Sequence, residues 1–413
     1  MRPSLKAGCF AAVAVMTMGT IMPAPATSIA FVVLLVGTDE AREPTLSYAP
    51  NGTIWYSGMN HPITPNGWEA NLWFAHNDTQ AFVRETDPPT SGGIDAVVHH
   101  DSAGRLFFAE QSSGVQVTVR DNGAWSHVTI FPNGDRPWFR TNSSGLTFLA
   151  FKNTTTTAIE TWTNSSNAVG WSMFSSDAAS PAGLADFWIH SNDTIAVLFL
   201  DETDDDWRVS LRGKLDSHWS ETSGIDHTHL GTYGPARIAF DSSGNMYVIY
   251  GETVGNDHSI WLRRYVASSN TWTSAFRVSD VNHTAALASI AAGSTGRVGI
   301  AWYDVEGNYE PGEVPLTSYW SFRYALMESA DSSPSIVQSV EVQPRAHQGP
   351  RGAGGTGVGD CSYILPRQWD STGKVVLAFA CDRTDPIEGC IISLPAHWPV
   401  PVFARQTAGP GLF

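Results

Sequence analysis

The feature that most constrains this chain is a hairpin pattern that recurs seven times. Each copy is a short apolar run, a polar turn and a second apolar run. The turns fall at Gly52, Gly104, Gly145, Asp193, Gly244, Gly296 and Gly373. Gly, Asn and Asp supply turn conformations that bulkier residues resist, so each copy reads as a β-hairpin. Successive turns are 52, 41, 48, 51, 52 and 77 residues apart. Most of these intervals match a four-stranded propeller blade, a unit that buries its faces only by stacking on its neighbours. Between the hairpins runs a second pattern, a strand and a polar turn followed by Trp125, Trp171, Trp219 or Trp272. These segments read as the third and fourth strands of each blade. A Trp after that turn can wedge between blades and fill the widening outer core.

The expected fold class is therefore all-β, a single β-propeller of seven (or six) four-stranded blades. Its 413 residues would otherwise suggest two or three domains. A ring of blades must also close. The β-prone run Phe31–Gly37 is expected to pair as the outer strand of the last blade, which hides an edge that would otherwise template aggregation. The alternative assigns that run to the leader.

The leader itself has a clear form. Arg2 and Lys6 precede an uncharged apolar stretch from Ala7 to Met22, and Ala24-Pro25-Ala26 offers small residues for cleavage. Residues 1–26 are expected to be a signal peptide and 27–413 the propeller domain, with the protein secreted or held at the cell surface. No charge lies between Lys6 and Asp39, so an uncleaved membrane anchor is the alternative; Pro23 and Pro25 oppose one straight helix there. Seven N-x-S/T sequons, at Asn51, Asn77, Asn142, Asn153, Asn164, Asn192 and Asn282, fit an exported glycoprotein. Beyond the leader remain Cys361, Cys381 and Cys390. Export favours oxidation, and hairpin geometry in the last blade allows Cys381 to pair with Cys361 or with Cys390 but not both. The formal charge of −16 disfavours nucleic acid and anionic membrane surfaces as partners.

Three of the Trp turns, Asp121-Asn-Gly-Ala-Trp125, Asp216-Ser-His-Trp219 and Ser268-Ser-Asn-Thr-Trp272, resemble degenerate Asp-box (BNR) repeats of the sialidase superfamily. The likeness spans blades 2 to 5 and implies a sialidase-like propeller. It carries no active site over. The family's Phe-Arg-Ile-Pro element is absent, with Arg136-Pro-Trp-Phe-Arg140 the nearest segment. Polysaccharide lyases and non-catalytic modules share the fold.

Propeller geometry nominates a site directly. Innermost strands start on the face to which second strands return, so residues at those two places converge on the mouth of the central channel. Strand starts fall near Asp95, Arg136, Asp186 and Arg237, and second strands end near Glu110, Asp201, Glu252, Asp304 and Asp382. Such a mouth suits a polar sugar, a uronate or a cation. The candidate catalytic residues are Asp304, Tyr303 and Asp95, because paired carboxylates or an acid-activated Tyr can act on a glycosidic bond. The candidate substrate-binding residues are Arg136, Arg237, Asp186 and Trp302. His99 and His100, or His227 and His229, could supply a base. No metal-ligand set is legible and no cofactor is expected; the acidic run Asp201, Glu202, Asp204, Asp205 and Asp206 could bind Ca²⁺ through hard oxygens, but a solvated loop is the preferred reading. Two insertions, Glu306–Leu316 and Arg345–Asp360, account for the long last interval and should overhang the mouth. The expected function is binding or hydrolysis of glycans at the channel mouth. The alternatives are a non-catalytic scaffold or adhesion module and, third, a polysaccharide lyase.

Overall fold

The computed structural model describes residues 28–37, 42–59, 70–86, 93–164, 170–204, 206–225, 236–310, 313–349, 363–366, 373–382 and 399–413. The leader, Asp205, His227, His229, Cys361, Cys390 and most of the 345–360 insertion lie outside them. So the signal peptide, the H-x-H pair and the disulfide are not addressed by the structure.

Seven antiparallel sheets form the ring, six of four strands and one, in blade 5, whose outer edge is split into two short strands, with no α-helix among the described residues. Blade 1 opens with Arg42–Tyr48, blade 2 with Ile94–His100, blade 3 with Gly134–Thr141 and blade 4 with Ala182–Ile189. Blades 5, 6 and 7 open with Arg237–Phe240, His283–Ala292 and Tyr363–Pro366. Every hairpin turn read from the sequence joins a first strand to a second. Six turn glycines have φ between 66° and 86°, and Asp193 takes the same left-handed conformation at 67°. The short polar side chain of Asp makes that conformation tolerable.

Blade 7 is closed as expected. Its strand order runs from Tyr363–Pro366 through Val375–Asp382 and Pro399–Ala408 to Ala30–Leu35, so an N-terminal strand completes a C-terminal sheet. The chain's end adds a second lock. Leu412 is fully buried; its carbonyl accepts from Ser294 N at 2.8 Å and its N–H donates to Gly373 O at 2.9 Å, tying the inner turns of blades 6 and 7.

The Trp residues act as wedges. Trp125 meets Trp55 of blade 1 edge-on, Trp171 meets Phe107 of blade 2, and Trp272 donates its indole N–H to Ser223 O of blade 4 at 2.8 Å. Each spans to the preceding blade where the sheets diverge. Beyond the ring, blade 6 carries a long outer hairpin, Tyr319–Glu328 with Ser335–Gln348. The segment read as an insertion from Arg345 is therefore strand as far as Gln348, because Trp320 and Tyr319 continue the pairing with His347 and Gln348.

Candidate functional site

The channel mouth is built by a bulge repeated on the innermost strands. Blades 1, 2, 3, 4 and 6 each shift register near the strand start: between Arg42 and Thr45, Ile94 and Val97, Asp135 and Trp138, Leu184 and Asp186, and Ala286 and Ser289. In four of them the extra residue has positive φ: Glu43 at 51°, Asp95 at 50°, Arg136 at 52° and Leu287 at 55°. A left-handed residue inside a strand costs conformational energy and turns its side chain out of the pleat. Three of these four residues are charged.

Glu43, Asp95 and Arg136 line one cavity together with Arg237, Thr45, Trp138 and Ala185. The cavity measures about 60 Å³. At roughly 10–15 Å³ per water it holds a few water-sized groups, such as a carboxylate, and leaves a sugar ring outside at the mouth. Arg237 is only 5% exposed. Its guanidinium lies 4.9 Å from the Trp138 ring centre, and Nη1 donates to Ala185 O at 2.7 Å. Its Nε has no hydrogen-bond partner, and no carboxylate stands within ion-pair distance of it among the described residues. A buried charge without a counter-charge is costly, and the cation–π contact offsets only part of that cost. The site thus presents a desolvated cation, with two acids across the cavity.

The sequence-derived residues divide three ways. Asp95, Arg136 and Arg237 come together in the cavity. Asp186 does not enter it: Oδ2 accepts from Ile238 N of blade 5 at 3.0 Å and Oδ1 from Phe187 N at 2.8 Å, so its carboxylate staples two blades. Trp302, Tyr303 and Asp304 occupy blade 6, and successive residues of a strand face opposite ways. Tyr303 packs toward blade 7, fully buried, where its hydroxyl donates to Ala380 O at 2.8 Å and accepts from Ala380 N at 2.9 Å. Trp302 and Asp304 face the other side. Trp302 Nε1 donates to Asp304 Oδ1 at 3.2 Å, His283 Nδ1 lies 2.7 Å from Asp304 Oδ2, and Arg323 Nη1 lies 3.4 Å from the same oxygen. Tyr303 and Asp304 are therefore not brought together as a pair.

His99 and His100 belong to the innermost strand of blade 2. Burial holds the His99 imidazole well below the usual histidine range, with Arg140 and His100 adding to the effect. Burial, then Arg120, lowers His100 to about 3. Both rings are neutral at ordinary pH. The acidic run joins the second and third strands of blade 4, Ile195–Asp201 and Asp206–Arg212, and Arg208 ties part of it down, pairing with Asp201 at 3.4 Å and with Asp204, and beyond the run with Glu221 at 2.6 Å. Among the described residues no group of three potential ligands is placed to hold a metal. Sequence reading missed Glu43 and Trp138. A bulge leaves no periodicity signature, but the Trp two residues beyond Arg136 was visible.

Comparison of the sequence finds no matching family model and no matching curated protein. Comparison of the fold does. YCF48, solved bound to D1 peptide, is similar at 10% identity over 92% of this chain and 95% of that one, with a TM-score of 0.55. A protein of unknown function from Dyadobacter fermentans is similar at 11% identity over 93% and 99%, with a TM-score of 0.53. The Dos1 propeller matches at 8% identity over 91% and 95%, TM-score 0.52. The intramolecular trans-sialidase from Ruminococcus gnavus is a more remote match, at 10% identity and TM-score 0.46. At these identities the likenesses establish the fold alone. The chain is a seven-bladed β-propeller, the fold that the repeated hairpins and Trp turns suggested.

Proposed function

We propose that this propeller is a binding protein for acidic glycans, with the ligand's carboxylate seated in the channel mouth. The observation that carries this reading is Arg237, a buried guanidinium without a carboxylate partner among the described residues, lining a cavity that Arg136 shares. A carboxylate there gains charge-assisted hydrogen bonds and supplies the missing counter-charge. Glu43 and Asp95 on the same cavity suit the hydroxyls of the attached sugar. The geometry favours binding over hydrolysis, because the Tyr303 hydroxyl is occupied by the Ala380 backbone and Asp304 by His283, Trp302 and Arg323.

The test is calorimetric titration with glucuronate or galacturonate oligosaccharides against their neutral counterparts. Hydrogen bonds to a charged group are worth about 1.5–3 kcal/mol, so Arg237→Met should weaken acidic-glycan binding by roughly 10- to 150-fold. Neutral glycans should bind weakly to both proteins. Equal affinity for acidic and neutral glycans, or unchanged binding by the Arg237 variant, would sink the proposal. A protein that binds no glycan at all would instead be the scaffold.

A further inference from the structure

A second cavity, unrelated to the channel, opens on the outer side of the ring between blades 2 and 3. It measures about 430 Å³. Its walls are Phe131 from the last strand of blade 2 and Phe151, Trp162, Trp171 and Met173 from blade 3. Trp162 and Trp171 each meet Phe131 edge-on, at centroid distances of 5.1 and 6.0 Å. Met173 at the rim is 51% exposed.

The same cavity is lined by Glu160, which is 9% exposed. Its Oε1 accepts from Asn153 Nδ2 at 2.7 Å and its Oε2 from Trp162 Nε1 at 3.0 Å. Both donors are neutral. No Lys, Arg or His stands within ion-pair distance of this carboxylate among the described residues. Other buried carboxylates of the molecule are treated differently. Asp101 has Arg105 at 2.7 Å, and Asp193 has Lys214 at 2.7 Å. Asp241 lacks a cation but accepts from Ser243 N, Asn245 N, Asn245 Nδ2, Tyr247 Oη and Gly296 N. Glu160 has two donors and faces open space. A buried carboxylate keeps its charge cheaply only where a cation or a full set of donors meets it.

We infer that this inter-blade cavity binds an organic ammonium cation. The carboxylate of Glu160 supplies the counter-charge. The faces of Trp162 and Trp171 attract the positive head by cation–π interaction and pack its methyl or methylene groups. A bare metal ion would leave the aromatic walls unused, and a neutral ligand would leave Glu160 unpaired. The formal charge of −16 raises the local concentration of any cation at the surface. The shared chemistry is that of a quaternary amine, a lysine side chain or an amino sugar.

The experiment is calorimetric titration of the full chain with choline, N-acetyl-lysine methylamide and glucosamine in separate arms. The uncharged choline isostere 3,3-dimethylbutan-1-ol is the control. At least one ammonium compound should bind, and the tightest of the three names the source. The isostere should bind at least tenfold more weakly than choline. Glu160→Gln should lower ammonium affinity at least tenfold and leave the isostere unchanged. Met173→Lys places a tethered ammonium at an exposed rim position without touching the core, and should block the site by self-occupancy. Arg237→Met should have no effect, which separates this site from the channel. Saturation by none of the three compounds, equal binding of choline and its isostere, or full affinity in both cleft variants overturns the inference.

Discussion

Replacing Tyr303 with Phe tests whether this residue is structural or presented to a ligand. The substitution removes one oxygen from a fully buried ring and creates almost no cavity. That oxygen satisfies two backbone groups, Ala380 O at 2.8 Å and Ala380 N at 2.9 Å, across the junction of blades 6 and 7. Leaving a buried donor or acceptor unmade costs about 1–3 kcal/mol. Two such groups, partly relaxed toward one another, give an expected loss of about 3 kcal/mol. The unfolding entropy scales at about 2.1 cal/mol/K per residue, or roughly 0.9 kcal/mol/K for 413 residues. The melting temperature should therefore fall by only about 3–4 °C, so urea unfolding is the more sensitive assay. Tyr303→Phe should shift the urea midpoint at unchanged slope, and glycan affinity at the channel should stay within twofold of the parent. Unaltered stability together with lost binding or turnover would refute this reasoning, since it would mean that the hydroxyl faces a ligand.

Two other outcomes follow from the structure. Leu412→Ala should destabilise by about 2–5 kcal/mol through the cavity left between blades 6 and 7, read by urea titration; a loss below about 1 kcal/mol would mean that the C-terminal lock is not formed in solution. The second concerns His100, whose folded pKa of about 3 lies far below the ordinary value of 6.5. The unfolded chain binds the proton first, so this stability is fully present above pH 6.5 and is lost as pH falls toward 3, with a slope approaching 1.4 kcal/mol per pH unit. Between pH 6.5 and 5, before carboxylates titrate, His100→Gln should reduce the slope of stability against pH by the contribution of one site, with buried His99 supplying the remainder; an unchanged slope would show that His100 does not contribute.

The architecture was legible because it is written locally and repeated. Each hairpin turn needs a residue that tolerates positive φ, and Gly or Asp marks all seven places. Strand alternation and the wedge Trp residues supply the rest. Ring closure was readable too, since Phe31–Gly37 is an apolar run with no partner nearby in sequence. Convergence of Asp95, Arg136 and Arg237 followed from the rule that innermost strands start on one face. The same counting placed Asp186 and Asp304 at the mouth, but it fixes only how far along the blade a residue lies.

Which way a side chain points was decided by the tertiary structure. A bulge of one residue inverts the facing of everything beyond it, and the bulges here are set by packing around the axis rather than by any local motif. That is why Arg136 turns into the channel, while Asp186, just beyond its own bulge, turns onto Ile238 N of the next blade. Pairing between blades is likewise invisible in one dimension. Tyr303 meets Ala380 at a separation of 77 residues, and Glu160 faces a cleft whose opposite wall is Phe131 of another blade. The sequence determined the blades and their order around the ring and left their number at seven or six, which the seven sheets of the structure decided. Only the packing of each blade on its neighbours decided which charges are satisfied internally and which, like Arg237 and Glu160, are left facing space.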